Sequence, residues 1–141
     1  MNTFERIIKK DIDVFDKKFK QELSTKSSLL YKITQYISRS SGKRIRPICV
    51  ILASGLINQI TDQTYRSAIL VELLHTATLI HDDIVDDAQL RRKSLSINTV
   101  WKNKIAVLTG DYFLAKGLQL SVENKDYDIL KSISSVVQEI V

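Results

Sequence analysis

From His81 to Arg92 the chain reads His-Asp-Asp-Ile-Val-Asp-Asp-Ala-Gln-Leu-Arg-Arg, which sets four carboxylates in the six residues Asp82–Asp87 and two guanidinium groups just beyond them. The residues before the cluster are apolar at helical spacing, so the carboxylates close a helix. Asp82 and Asp86 stand four residues apart, as do Asp83 and Asp87, and like charges at that spacing cost a helix about 0.2–0.5 kcal/mol per pair. Anions at a helix C-terminus oppose the macrodipole at a cost of roughly 0.3–1 kcal/mol, and aspartate is a weak helix former. A bound cation would offset these terms. Carboxylates one turn apart suit a hard divalent ion, and Mg²⁺ best, because it is held by one or two carboxylates together with waters and phosphate oxygens, whereas Ca²⁺ wants a larger oxygen cage. Zinc does not fit: Cys49 is the single cysteine, and His75 and His81 stand at no zinc-binding spacing from it. The other reading of these residues is a solvated acidic helix end.

A second set of residues is cationic. Gly42–Lys43–Arg44–Ile45–Arg46–Pro47 puts three positive side chains ahead of a helix start at Pro47, where free amides and the helix dipole already attract anions. A diphosphate suits that place, although a basic turn is also stable when merely solvated, and the glycine pattern is not that of a Walker loop. Arg91 and Arg92 have the fork geometry to grip phosphate oxygens, or else to pair with Asp86 or Asp87. His75 lies seven residues before Asp82, nearly two helical turns, so the two are expected at one pocket unless His75 is a structural residue. His81 is about 100° around the helix from Asp82 and is read as a supporting or core residue. The whole describes a site for two diphosphates, one held through a metal and one held directly.

The elements that must position these groups are helical. One proline and four glycines in 141 residues favour long helices over strands and turns, and the chain is read as all-α with about six helices. Phe4, Ile7, Ile8, Ile12, Phe15 and Phe19 stripe a first helix over 4–22; Leu29, Leu30, Ile33, Tyr36 and Ile37 form a second, broken at Ser38–Gly42. Pro47 belongs early in a third helix, Ile48–Ile57. Thr61–Asp62 caps a fourth, which carries Ile69, Leu70, Leu73, Leu74, Ala77 and Ile80 into the acidic cluster. Residues 88–101, polar and basic, are expected to be a loop folded over the acidic end; a fifth helix covers about 103–122 and a sixth begins near Asp126. In that last helix Leu130, Ile133, Val136, Val137, Ile140 and Val141 run to the terminus without a closing residue, so the chain reads as cut within it and in need of a covering partner.

Composition narrows the function. At 141 residues and 44% hydrophobic content there is one core and no second domain. A lone cysteine forms no internal disulfide, so Cys49 is read as a small core residue and the cytoplasm as the compartment. The start is charged rather than signal-like, and no apolar run reaches the roughly 18 residues of a membrane span. A net charge of +5 and a pI near 9.3 are spread along the chain with no nucleic-acid motif, which favours small anions over nucleic acid; a weak membrane-surface attraction through the basic first 46 residues is the lesser alternative.

The segments GKRIRP, HTATLIHDDIVDDAQLRR and LTGDYFLAKGLQL, in this order and spacing, resemble the N-terminal half of the trans-isoprenyl (polyprenyl) diphosphate synthases over nearly the whole chain. The resemblance implies the isoprenoid-synthase helical bundle, with residues 1–141 as the N-terminal part of one synthase domain. It implies a Mg²⁺-dependent head-to-tail condensation of isopentenyl diphosphate with an allylic diphosphate, by a prenyltransferase that works as a homodimer. By motif, Asp82, Asp83 and Asp86 match the first aspartate-rich motif, which holds the allylic diphosphate through Mg²⁺, and Arg91 matches an arginine on that diphosphate. Lys43, Arg46, His75 and Arg92 match the isopentenyl diphosphate cradle, and Gly110–Asp111 a motif read as structural. Metal and guanidinium charges would stabilise the departing diphosphate, and the released diphosphate would take the proton, so no side-chain base is required.

Product length in this family depends on residues just before the aspartates. Here they are Ala77 and Thr78, neither an aromatic plug, which implies a medium- or long-chain product. The chain departs from the family in two respects: it holds no second aspartate-rich motif, since Asp126 and Asp128 do not substitute, and Lys93 stands where the family usually has glycine. Such a chain is expected to be inactive or nearly so alone. The alternative is a non-catalytic diphosphate-binding or regulatory subunit that completes its bundle with another chain.

Overall fold

The computed structural model describes residues 3–39 and 42–140; Val141 and the side chains of Phe4 and Ile7, expected in the apolar stripes of the last and first helices, lie outside the described residues. Six helices are present: α1 (Thr3–Glu22), α2 (Ser28–Arg39), α3 (Ile45–Ile57), α4 (Asp62–Val85), α5 (Ile97–Glu123) and α6 (Tyr127–Ile140). Between α4 and α5 two short antiparallel strands, β1 (Leu90–Arg91) and β2 (Ser94–Leu95), pair Leu90 with Leu95 and Arg91 with Ser94.

The bundle is organised around α4, against which α5, α3 and α1 pack. Its inner residues Ala68, Ile69, Leu73 and Ala77 are fully buried or nearly so, and Phe15, Phe19, Ile33, Ile51 and Phe113 close on them from α1, α2, α3 and α5. At Gly117 a Cβ would come 2.9 Å from Leu70 Cδ1, and a second glycine, Gly110, lies two turns earlier on the same face of α5, so missing side chains let α5 approach α4 closely. The start of α4 is secured by the Thr61 amide, which donates to Thr64 Oγ1 (3.0 Å). Arg66 of α4 grips the buried Asp126 with two bonds, Nε to Oδ2 (2.7 Å) and Nη2 to Oδ1 (3.0 Å), which ties α4 to the turn that begins α6. Asp126 is thereby committed to structure.

Four expectations change. The third helix begins at Ile45 rather than Ile48, which leaves Pro47 in the first turn, where its missing N–H costs nothing. Residues 88–101 are not one loop: the hairpin fills the middle, and α5 starts at Ile97, broken at Lys102 (φ 71°, ψ 158°), after which it follows the expected span. Cys49 is exposed, not in the core. The reason is that α3 is largely apolar but packs chiefly on α4 and α1, leaving Cys49 outward with Leu56 and Ile57, which are 86% and 87% accessible. Ala77 is fully buried in the core rather than at a pocket, whereas Thr78 is exposed and donates Oγ1 to the His75 carbonyl (2.8 Å). Among the described residues α6 buries no side chain, and no helix is long and apolar enough to cross a membrane.

Candidate active site

The acidic helix end is asymmetric. Asp86 caps α4, its amide bonded to the Asp82 carbonyl (2.8 Å), and Asp87 turns the chain with a left-handed φ of 54°, a conformation that aspartate tolerates better than most residues. Asp82 and Asp86 are exposed, one turn apart, and neither has an ion-pair partner among the described residues. Asp83 is different. It is 4% accessible and is held by Arg91, whose Nε donates to Oδ2 (3.2 Å) and whose Nη2 donates to Oδ1. That hydrogen bond raises the Arg91 pKa against a smaller opposing effect of burial. The pairing alternative for Arg91 is thus realised with Asp83, not with Asp86 or Asp87.

The hairpin that carries Arg91 and Arg92 is rooted at both sides. Ser96 Oγ donates to the Ala88 carbonyl (2.7 Å), the Ser96 amide to the Gln89 carbonyl (2.9 Å), and Tyr36 Oη of α2 to the Leu95 carbonyl (2.5 Å). Trp101 meets the Tyr36 ring edge-on at 5.2 Å. The two turn residues, Arg92 and Lys93, both have positive φ, 50° and 66°, the pattern of a two-residue type I′ turn, which favours Asn-Gly. A glycine at position 93, which the resemblance implies, would adopt this turn without strain. Across the gap, a Cβ on Gly42 would collide with the Arg92 guanidinium, so this glycine allows the arginine to lie directly on the turn before α3.

These elements enclose a cavity lined by Gly42, Arg44, Glu72, His75, Asp83, Arg91 and Arg92 on its polar side and by Phe19, Tyr36, Leu79 and Ile80 on its apolar side. His75 is partly buried, and its pKa is lowered, first by burial, then by Arg46, with smaller pushes from Arg92 and Arg91; Glu72 works in the opposite direction. A neutral imidazole therefore sits in a positive field that an anion would relieve. Arg46 and Lys43 are exposed and do not line the cavity, yet Arg46 is near enough to act on His75. Asp82, expected on the His75 face, is exposed outside the lining; Asp83 occupies that role, one residue and 100° further round.

His81 supports the helix end. Its Nε2 lies 3.2 Å from the Val107 carbonyl and 3.5 Å from Asp111 Oδ1, two acceptors that require the proton on that nitrogen. A Cβ on Gly110 would collide with the ring. Gly110 and Asp111 thus seat the last turn of α4 on α5, a pairing that a glycine inside a helical pattern hints at. Further along the α4–α5–α6 side, Leu70, Leu74, Leu114, Leu118, Leu130, Ile133 and Val137 line an apolar trough.

The donor set suits a hard divalent ion that keeps part of its shell. Asp82 and Asp86 offer two unpaired carboxylates, Asp83 is committed to Arg91, and among the described residues no cluster of three or more His, Cys, Asp or Glu side chains is assembled for a metal. Remaining ligands would have to be waters and phosphate oxygens, which is the habit of Mg²⁺.

This helical bundle, with an acidic helix end beside a cationic cavity, has known counterparts. The family model described as polyprenyl synthetase matches residues 27–141, and the chain belongs to that family. It is 34% identical over 134 residues to the all-trans-nonaprenyl-diphosphate synthase (geranyl-diphosphate specific) of Rhodobacter capsulatus, covering 94% of this chain and 41% of that protein. It is 33% identical over 130 residues to heptaprenyl diphosphate synthase component 2 of Bacillus subtilis, covering 92% of this chain and 37% of that one. The crystal structure of a polyprenyl synthase from Caulobacter crescentus, complexed with calcium and isoprenyl diphosphate, superposes with a TM-score of 0.85 at 30% identity, over 96% of this chain and 42% of that one. The chain thus spans about two fifths of the length of the relatives it matches.

Proposed function

We propose that this chain is the diphosphate-binding part of a prenyltransferase that condenses isopentenyl diphosphate with an allylic diphosphate, head to tail, giving a medium- or long-chain trans-polyprenyl diphosphate. The observation that carries the proposal is the division of the site: two exposed, unpaired carboxylates at the end of α4 on one side, and a cavity ringed by Gly42, Arg44, His75, Arg91 and Arg92 on the other. Asp82 and Asp86 would hold Mg²⁺, which when bound supplies charge to stabilise a departing diphosphate. Asp83 holds Arg91 in the cavity wall, from which it would reach a diphosphate carried on that metal. Lys43, Arg46, His75 and Arg92 would bind the second diphosphate, with Arg92 placed by Gly42.

The chemistry breaks the allylic C1–O bond with both electrons leaving on the diphosphate, forms a carbon–carbon bond from the isopentenyl double bond to the cation, and ends with loss of a proton to the released diphosphate. The chain's own contribution is to bind, orient and stabilise charge. Thr78, exposed and in place of a bulky plug, supports chain growth beyond three isoprene units. A cytoplasmic homodimer, and inactivity of residues 1–141 alone, belong to the same reading.

The test joins residues 1–141 to the remaining portion of the Caulobacter crescentus synthase and follows Mg²⁺-dependent incorporation of labelled isopentenyl diphosphate onto farnesyl diphosphate. Elongated product, lost on Asp82→Ala, is expected, and none from residues 1–141 alone. A folded chimera without product would refute the activity, and farnesyl-length product with nothing longer would refute the product length. The relative called component 2 favours a second reading, in which the chain works only with another subunit; product from residues 1–141 mixed with a separate chain would support it.

A further inference from the structure

Of the three cations in Gly42–Pro47, Lys43 and Arg46 are exposed, whereas the Arg44 side chain is only 15% accessible and faces inward. Its backbone is left-handed (φ 56°, ψ 31°) at the N-cap of α3, a conformation strained for a residue with a Cβ. Tertiary contacts hold it there. Nη1 donates to Glu72 Oε1 of α4 (3.2 Å), and Nε lies 3.3 Å from Asp16 Oδ1 of α1. The guanidinium carbon sits 5.0 Å from the Phe19 ring centroid and 5.6 Å from that of Phe15. Asp16 Oδ1 is buried without an aligned hydrogen bond, so the Arg44 charge is what compensates it. The Arg44 carbonyl accepts the first helical bond of α3, from the Ile48 amide (3.0 Å).

We propose that Arg44 is a positioning residue for the directly bound diphosphate: by clamping the left-handed turn between α1 and α4, it sets Lys43, Arg46 and the first amides of α3 against His75 and Arg92. The proposal rests on the diphosphate reading given above. A planar fork is needed because it bridges carboxylates on two helices while lying over two rings; lysine, a point charge, serves one partner at a time.

Asp16→Asn separates positioning from simple charge. Removing a negative charge near an anion site strengthens binding on electrostatic grounds, whereas loosening Arg44 weakens it. Isothermal titration of the 141-residue chain with inorganic pyrophosphate in EDTA reads the cationic subsite alone, with thermal melts to fix a temperature at which each variant is folded. Asp16→Asn and Arg44→Lys are expected to bind about fivefold more weakly, and the additional Mg²⁺-dependent binding at Asp82 and Asp86 to be unchanged. Equal or tighter binding by Asp16→Asn overturns the proposal, and Glu72→Gln carries the same opposite-sign test should Asp16→Asn not fold. Wild-type chain without pyrophosphate binding that is sensitive to Lys43→Ala refutes the diphosphate reading itself, and the role of Arg44 with it.

Discussion

Asp82→Asn should stabilise the metal-free protein and abolish its response to metal. Asp82 is exposed in the last turn of α4, one turn before Asp86, with no cationic partner among the described residues. Asparagine removes one like-charge pair, about 0.2–0.5 kcal/mol, and one anion from the negative end of the helix, roughly 0.3–1 kcal/mol. Asn and Asp have similar helix propensity, so the net gain is about 0.5–1.5 kcal/mol. At about 2–4 °C per kcal/mol for a chain near this size, Tm in EDTA rises by roughly 1–6 °C. Mg²⁺ with pyrophosphate at about a hundredfold excess over Kd adds about 2.7 kcal/mol to a protein that binds it in the folded state only. With pyrophosphate in both buffers the cationic subsite is filled in each, so wild type should gain that increment from Mg²⁺ and the variant little of it, and the order of melting temperatures inverts between EDTA and Mg²⁺. Circular dichroism melts of both proteins in both buffers read this directly. An Asp82→Asn protein that melts below wild type in EDTA, or gains as much from Mg²⁺ and pyrophosphate, would refute the reasoning.

Lys93→Gly should raise stability by about 1 kcal/mol by relieving the left-handed residue in the hairpin turn, with Lys93→Ala giving no gain; urea midpoints compare the two. Arg91→Met leaves the buried Asp83 carboxylate unpaired and should cost roughly 1–3 kcal/mol, of which Asp83→Asn in the same chain recovers most, as a double-mutant cycle would show. His75 resists protonation in the folded state, since its pKa is lowered from 6.5, so the unfolded chain binds more protons below that value and wild-type stability falls as pH drops from about 6.5 toward the folded pKa. His75→Gln should flatten that part of a stability profile measured between pH 7.5 and 5; an unchanged slope would contradict a His75 pKa lowered by burial and, after it, by the neighbouring arginines.

The helix pattern and the three motifs were readable because each rests on local physics. Carboxylates at i and i+4 at a helix end, Pro47 at a helix start and the apolar spacing of α4 need no tertiary knowledge. What stayed hidden depends on contacts between distant segments. Lys43, Arg44 and Arg46 look alike in sequence, and only Asp16 and Glu72, far along the chain in both directions, select Arg44 as the inward one. The hairpin carries no Asn-Gly signal; Arg92 and Lys93 adopt positive φ because Tyr36, Ser96 and the Asp83–Arg91 pair hold its ends. Asp83 is indistinguishable from Asp82 by composition, yet one faces Arg91 and the core while the other faces solvent. Cys49 misleads for a related reason, since an apolar helix with few neighbours exposes residues that composition assigns to the core.

The most direct measurement is a calorimetric count of pyrophosphate sites on the 141-residue chain with and without Mg²⁺. Two sites in Mg²⁺ and one in EDTA are predicted, with Asp82→Asn removing only the metal-dependent site and Lys43→Ala weakening only the other. One site in both conditions, or metal-dependent binding that survives Asp82→Asn, would contradict a division of the site between a carboxylate helix end and a cationic cavity.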